Sequence, residues 1–349
     1  MPFLLYQLMF CAKVKAYIVN ARRGKGTSMP FLLYQLTFCA RVKAYIVNAR
    51  RGKGMIASIK LVLTFILLTS YSVCASDLVR YNISKEFADP KQDYYIALLR
   101  LALNKSRDKY GAYQLIENSF DHTPQGRTLE ILEQGKLLDV HWSMTSIQRE
   151  KSLATVYVPL LKGMMGARLF LIHKDTEERL SLLNSPAQLM SFTLGSGIDW
   201  PDTSIYEKNG FVVVTSMAAL LPKMLEEKRF ELFPRALHEP WTELQSMNSA
   251  VVESKFAFCY PAAMYFFVNK NNRRLKERLT YGLNKAIEDG SFDKLFFNHP
   301  ITREAIAKAK FEERKALKLQ NPNLSGHTRD TLFNPKYTWQ PIHQCISPN

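Results

Sequence analysis

GKLLDVHWSMTSIQREKSLATVYVPL, running from Gly135 to Leu160, places an apolar strand, a short polar turn and a second apolar run in immediate succession. Gly135 stops a helix expected over Thr128–Gln134. Leu138–Met144 reads as a strand, and the turn Thr145-Ser146-Ile147-Gln148-Arg149 follows it. Upstream, Asp77–Ile83 and Tyr113–Glu117 read as strands. Between them Lys91–Asn104 reads as a helix, because Tyr95, Leu98, Leu99 and Ala102 fall three and four residues apart. Arg168–His173 is a fourth strand, followed by a loop and a helix around Ala187. This alternation predicts α/β layers.

A second set of elements begins further on. Ser191–Leu194 is expected as a strand, Gly195-Ser196-Gly197 as a turn, Asp202–Asn209 as a helix, Phe211–Val214 as a strand and Met217–Glu227 as a helix. Phe256–Tyr260 and Met264–Asn269 read as strands, and Leu275–Glu288 as a helix stopped by Gly290. Lys308–Lys318 (KAKFEERKALK) reads as a helix with mixed charges on a solvated face. The tail from Leu317, rich in Pro, Asn and Thr, is expected as an extended strap. Two successive α/β units, with late helices returning to the first, imply two lobes joined by crossing segments.

The chain has 349 residues, 47% of them hydrophobic, with 15 Gly, which excludes a collagen, a disordered tail and a small disulfide-stapled module. Its net charge of +16 invites a nucleic-acid reading. However, residues 1–75 hold eleven basic side chains and no acidic one, so the rest carries only +5. No nucleic-acid partner is expected.

Those first residues contain a repeat. Met1–Gly26 returns as Met29–Gly54 with only Met9/Thr37 and Lys13/Arg41 changed. Two near-identical copies are not a solenoid, which needs three or more diverged units. They point to a recent tandem duplication, read as a duplicated leader before a misplaced start; a basic amphipathic membrane-surface segment is the alternative. From Met55, MIASIKLVLTFILLTSYSVCA has one basic residue, an apolar stretch Leu61–Leu68 and Val73-Cys74-Ala75. That is the pattern of a signal peptide cleaved after Ala75, giving a mature periplasmic chain from Ser76. A membrane anchor would need a longer apolar run, and Tyr71-Ser72-Val73 is a poor lipobox for Cys74. Cys259 and Cys345 are then the two cysteines left, either bridged in an oxidising compartment or separate thiols. No cysteine–histidine cluster or CxxC is present, so no metal or other cofactor is expected.

Several segments resemble extracytoplasmic solute-binding proteins, most closely the amino-acid-binding type of ABC transport systems. Gly135-Lys136-Leu137-Leu138-Asp139, Thr145-Ser146-Ile147-Gln148-Arg149 and Val158-Pro159-Leu160 resemble the first-lobe signature, and Leu194-Gly195-Ser196-Gly197 the second-lobe strand and helix start. Tyr260–Val268 resembles the returning hinge strand, and Asn272–Phe292 the closing helix with its "dG-f" end. The resemblance covers about Val79 to Phe296. It implies the two-lobed type II periplasmic-binding-protein fold, each lobe a mixed sheet flanked by helices, with a two-segment hinge. On that reading the first lobe takes residues 76–165 and 259–316, the second 166–258, and the strap 317–349.

The implied function is a hinged trap that closes on a small carboxylate-bearing, amino-acid-like solute and delivers it to a membrane permease, the protein itself a monomer. The resemblance places Arg149 on the ligand carboxylate, where a guanidinium can make two parallel bonds. A surface pair with Glu150 is the alternative. Thr145 and Ser146 are expected as hydroxyl donors beside it. Ser196 and Gly197, at the start of the second-lobe helix, are candidates for an anionic ligand group or a plain turn. Trp142 and Tyr81 are candidate cleft walls or core residues. The chain departs from the family after its first strand, where the "y-x-P-F" segment is missing. It also departs at Lys228–Arg235, where Glu231 stands near the family's amine-binding Asp. Arg235 is a candidate second cleft cation, or a solvated residue near Glu239 or Glu243.

Two other functions compete. A sensing subunit signalling to a separate membrane receptor would use the same trap. A dehydratase-type enzyme on this fold would need an acid or base in the cleft, for which His141 is the candidate. No GxSxG, HExxH or P-loop is present, and a non-enzyme is expected.

Overall fold

The computed structural model describes residues 76–83, 89–121 and 123–347; the duplicated leader and the expected signal peptide lie outside them. The chain begins with β1 (Asp77–Ile83), α1 (Lys91–Lys105), β2 (Tyr113–Ser119), α2 (Gln125–Gln134), β3 (Val140–Met144), α3 (Ile147–Ser152) and β4 (Ala154–Val156). Next come β5 (Ala167–His173), β6 (Leu194–Gly197), α4 (Pro201–Lys208), β7 (Val213–Ser216), α5 (Leu221–Glu226), β8 (Phe233–Ala236), α6 (Pro240–Glu243), β9 (Ala250–Val252) and β10 (Phe256–Cys259). It ends with β11 (Met264–Val268), α7 (Arg273–Glu288), α8 (Ser291–Asn298), α9 (Pro300–Ala309), β12 (Lys315–Lys318), α10 (Gly326–Phe333) and α11 (Gln340–Ile346).

The first lobe is a sheet in the order β2-β1-β3-β11-β4. Its early strands are parallel, and β11 returns antiparallel between β3 and β4, with Phe266 opposite Trp142 and Val156. A strand covered on both faces needs a continuous apolar run rather than an alternation, which is what MYFFV supplies. The apolar stripe of α1 buries Tyr94, Leu98, Leu99, Ala102 and Leu103, and α1 packs against α7. On α7, fully buried Arg278 meets the Asp77 carboxylate at 2.5 Å and the carbonyl of Gly111 at 2.7 Å. A buried guanidinium is tolerated only with such a set of partners.

The second lobe is built on the order β12-β10-β5-β8, with β9 also on β5. The β6–β7 parallel pair joins it through a bridge between Leu194 and Leu232. This is the expected α/β class: two mixed sheets, each flanked by helices. The chain crosses between them at 157–166 and 260–263. The two crossings bond to each other, from Tyr260 N–H to Gly166 O at 3.0 Å, and the first bonds back to the first-lobe sheet from Leu160 N–H to Met264 O at 2.9 Å.

Three local expectations are corrected. The strand expected over Ser191–Leu194 lies over Leu194–Gly197, so Gly195-Ser196-Gly197 is strand, not turn. A side chain at Gly195 would stand 2.3 Å from the Phe230 ring, and one at Gly197 2.4 Å from Trp200. Glycine is there to admit two aromatic lids, not to bend the chain. The helix expected over Lys308–Lys318 ends at Ala309; Lys310 takes a left-handed φ of 44° and Lys315–Lys318 adds to β10 as a parallel strand. The chain is therefore back in the second-lobe sheet by 315, where a first-lobe return reaching 316 was expected.

The tail is more than an extended strap, since it carries α10 and α11. It bridges the lobes through Asn323, whose carbonyl accepts from Ile147 N–H at 3.0 Å while its amide donates to Ser204 Oγ at 2.6 Å. A disulfide joins Cys345 on α11 to Cys259 beside the second crossing, with the Cα atoms 5.5 Å apart.

Candidate functional site

The turn after β3 carries the main candidates. Ser146 has extended backbone and caps α3, its Oγ accepting from Arg149 N–H at 3.2 Å. Thr145 is turned elsewhere: its hydroxyl donates to Glu150 at 2.6 Å, as Thr328 of the tail does at 2.6 Å and Tyr157 at 3.1 Å. Glu150 is thus held by three hydroxyls and is not paired with Arg149.

Arg149 reaches across the lobe junction. Nη1 donates to Ser143 Oγ at 2.7 Å and to Met144 O at 2.8 Å, and Nη2 donates to Asp199 O of the second lobe at 3.0 Å. All three acceptors are neutral, and among the described residues Arg149 makes no ion pair. Of five guanidinium N–H groups, Nε–H and one on Nη2 have no partner among the described residues. Burial lowers the pKa of Arg149 to about 10, opposed by the charges of Asp199 and Asp202, so it remains a cation at neutral pH.

Asp199 fastens the same junction from its side chain. Its Oδ2 accepts from Gly126 N–H at 2.6 Å, in the first turn of α2. Asp199-Trp200-Pro201 follows β6 after one residue, Ile198, and Pro201 starts α4 at a position whose N–H would be unpaired in any case. Ser196 and Gly197 are committed to that corner: the Thr203 hydroxyl lies 2.8 Å from both Ser196 Oγ and Gly197 O.

The other cations near the junction are all paired. Arg168 is 2% exposed and donates to Asp202 Oδ1 and Tyr260 OH, each at 2.6 Å, with Glu239 3.7 Å away. Arg235 forms a bidentate pair with Glu243 at 2.7 and 2.6 Å, lies 3.2 Å from Glu239, and stacks 4.8 Å over Trp200. Lys91 Nζ from the first lobe meets Glu243 at 2.9 Å. Burial favours the protonated acid at Glu239, but the facing charges, Arg235 first, outweigh it and hold its pKa at about 2.

The remaining candidates fall outside this junction or behind it. Trp142 is buried and stacks on Tyr95 with ring centres 5.3 Å apart; Tyr95 OH in turn meets His238 Nε2 of the second lobe at 3.0 Å. Tyr81 lies in the first-lobe sheet, its hydroxyl 3.3 Å from Glu117, and bonds to no other candidate. Glu231 bonds Thr193 N–H at 2.9 Å and pairs with Arg179, away from Arg149. His141 is stacked on Trp142, and burial drives its pKa down to about 4.

The structure therefore brings Arg149 and Ser146 together with Asp199. It gathers Gly197 and Arg235 around Trp200, ties Ser196 to Thr203, and leaves Tyr81 apart. Sequence reasoning missed Asp199, Asp202, Arg168 and Lys91. A signal existed for Arg168, a lone charge opening the apolar run RLFLIH, which must find an acid if buried.

No protein-family profile matches the chain, and no curated protein matches it by sequence. Solved structures do. A probable amino-acid ABC transporter extracellular-binding protein from Bacillus subtilis is 15% identical, with a TM-score of 0.48 over 65% of this chain and 99% of that one. An ancestral arginine-binding protein bound to glutamine is 15% identical, with a TM-score of 0.47 over 63% and 96%. A histidine kinase sensor domain with similarity to periplasmic binding proteins is 12% identical, with a TM-score of 0.47 over 63% and 94%.

Proposed function

We propose that the protein is a periplasmic solute-binding protein whose two lobes close on a small carboxylate-bearing, amino-acid-like solute for delivery to a membrane permease. One observation carries the proposal. Arg149 is the cation at the lobe junction that keeps its charge without a carboxylate partner, while Arg168, Arg235 and Lys91 each have one. Its two unpartnered N–H groups suit a bidentate carboxylate, and its neutral acceptors fix the guanidinium plane before the ligand arrives. Arg235 is excluded from that role by its own acids and serves to hold the second-lobe wall.

The test is a thermal-shift screen of the purified protein against amino acids, dicarboxylates and short peptides. A ligand that binds only the native state stabilises it by about 2.7 kcal/mol at 100-fold over its Kd. A shift confined to carboxylate-bearing compounds and abolished in Arg149→Ala supports the proposal. No shift across the panel, or one that survives Arg149→Ala, counts against it.

A further inference from the structure

The crossings at 157–166 and 260–263 are not the whole connection between the lobes. α9 packs on α8 and α8 on α7 of the first lobe, yet residues 310–314 carry the chain from α9 into β12 of the second-lobe sheet. After Lys318 the chain returns. Thr328 donates to Glu150 of the first lobe at 2.6 Å, and Tyr337 to Asn284 of α7 at 3.1 Å. This last crossing, 319–325, runs over the seam that Arg149 and Asp199 fasten, for it bonds to Ile147 and Pro201, each two residues from one of them.

Amide side chains fix the crossing at every step. Asn209 of the second lobe takes both main-chain groups of Gln320: its Oδ1 accepts from the N–H at 2.9 Å and its Nδ2 donates to the carbonyl at 2.8 Å. Asn321 donates to Pro261 O of the second crossing at 2.8 Å, while its Oδ1 accepts from Asn323 N–H at 2.8 Å and folds 321–323 into a turn. Asn323 then holds both lobes at once. Its carbonyl accepts from Ile147 N–H at 3.0 Å, and its amide donates to Pro201 O at 3.1 Å and Ser204 Oγ at 2.6 Å. Ile147 is the first residue of α3, where an N–H has no partner within the helix, so Asn323 supplies the acceptor it lacks. Further along, Trp339 N–H donates to Lys162 O of the first crossing at 2.9 Å, and Cys345 is bonded to Cys259.

We propose that residues 319–325 are a strap that limits how far the lobes can part. The inference rests on the reading of the protein as a trap that opens to admit its solute. Gln320 is tied to the second lobe, and Ser325 caps a helix tied to the first. The five residues from one to the other reach at most about 18 Å when fully extended. Parting the lobes therefore breaks the Asn323 bonds, draws out the 321–323 turn and stops when the chain is taut. A restrained opening keeps the empty lobes near their closed arrangement and lowers the ordering cost of binding.

Amide hydrogen exchange by NMR on the unmodified full chain is the first test. Ile147 N–H is expected to exchange about tenfold or more slowly than an exposed amide, the equivalent of one hydrogen bond. Small-angle X-ray scattering then compares two ligand-free chains, both carrying Asp199→Ala and Asn323→Ala to release the seam. One of them also has six Gly and Ser residues inserted between Asn321 and Pro322, which lengthens the reach by about 20 Å. That chain is expected to show the larger radius of gyration, by more than the same six residues add when inserted after the exposed Lys270. An Ile147 amide that exchanges at the exposed rate, or equal radii with and without the longer strap, would overturn the proposal. The exchange measurement needs no variant, so it decides the matter where the inserted chain does not fold. No ligand enters either measurement, so failure of the strap and failure of the carboxylate screen are read separately.

Discussion

Arg149 of the first lobe donates to the main-chain carbonyl of Asp199 in the second, while the Asp199 carboxylate returns to Gly126 N–H of the first. One residue of the second lobe thus takes two bonds from two different elements of the first. Any separation of the two lobes along this seam would have to break both bonds. Neither bond uses the free Nε–H of Arg149, so the clasp and a bound carboxylate are compatible.

Asp199→Ala removes the charged half of the clasp and leaves the carbonyl. A hydrogen bond to a charged group contributes about 1.5–3 kcal/mol. The ligand-free variant is expected to shift toward an open form, read as an increased radius of gyration in small-angle X-ray scattering. An unchanged scattering profile would show that other contacts hold the lobes shut.

Arg235 tests the paired network. Removing it by Arg235→Ala leaves Glu243 and Glu239 buried without their main cation, a loss expected at about 3–5 kcal/mol in denaturant unfolding. Adding Glu243→Gln in the same chain should recover part of that loss, since one stranded charge is removed with its partner.

The Cys259–Cys345 bridge closes a loop with a sequence separation of 86 residues. Chain-entropy arithmetic for that loop gives about 4–5 kcal/mol at 25 °C. Cys345→Ser is expected to lower stability by up to that amount. It should also expose the tail after Lys318 to proteolysis before the two sheets are cut.

Acid should weaken the fold at two buried imidazoles. His141 and His238 have native pKa values near 4, against an ordinary 6.5, because burial disfavours the charged ring. Between those values the unfolded chain binds more protons than the native one, so stability falls as pH drops from 6.5 to about 4. The upper limit is about 3 kcal/mol for each ring. Replacing both rings with Phe should flatten the melting temperature across that window; an unchanged slope would place the effect elsewhere.

The first lobe was legible in the sequence because its signals are local. The three-and-four spacing of Tyr95, Leu98, Leu99 and Ala102, the stop at Gly135 and the run MYFFV each fix an element by themselves. What failed depended on partners distant in the chain. Gly195 and Gly197 look like a turn until Phe230 and Trp200 are laid over them. Lys315–Lys318 becomes a strand only because β10 offers an edge. At the junction, Arg149 and Ser146 could be named only because the turn Thr145–Arg149 resembles a family motif, whereas Asp199 could not, since its role comes from α2, more than sixty residues earlier.

The central claim is that Arg149 binds a carboxylate, and calorimetric titration tests it with one pair of compounds: the strongest carboxylate ligand from the screen and its primary amide. Losing a charge-assisted bidentate pair is worth about 1.5–3 kcal/mol or more, so the amide is expected to bind at least about tenfold more weakly. Arg149→Ala should bring the two compounds to the same weak affinity. Equal binding of acid and amide by the unmodified protein would contradict the account.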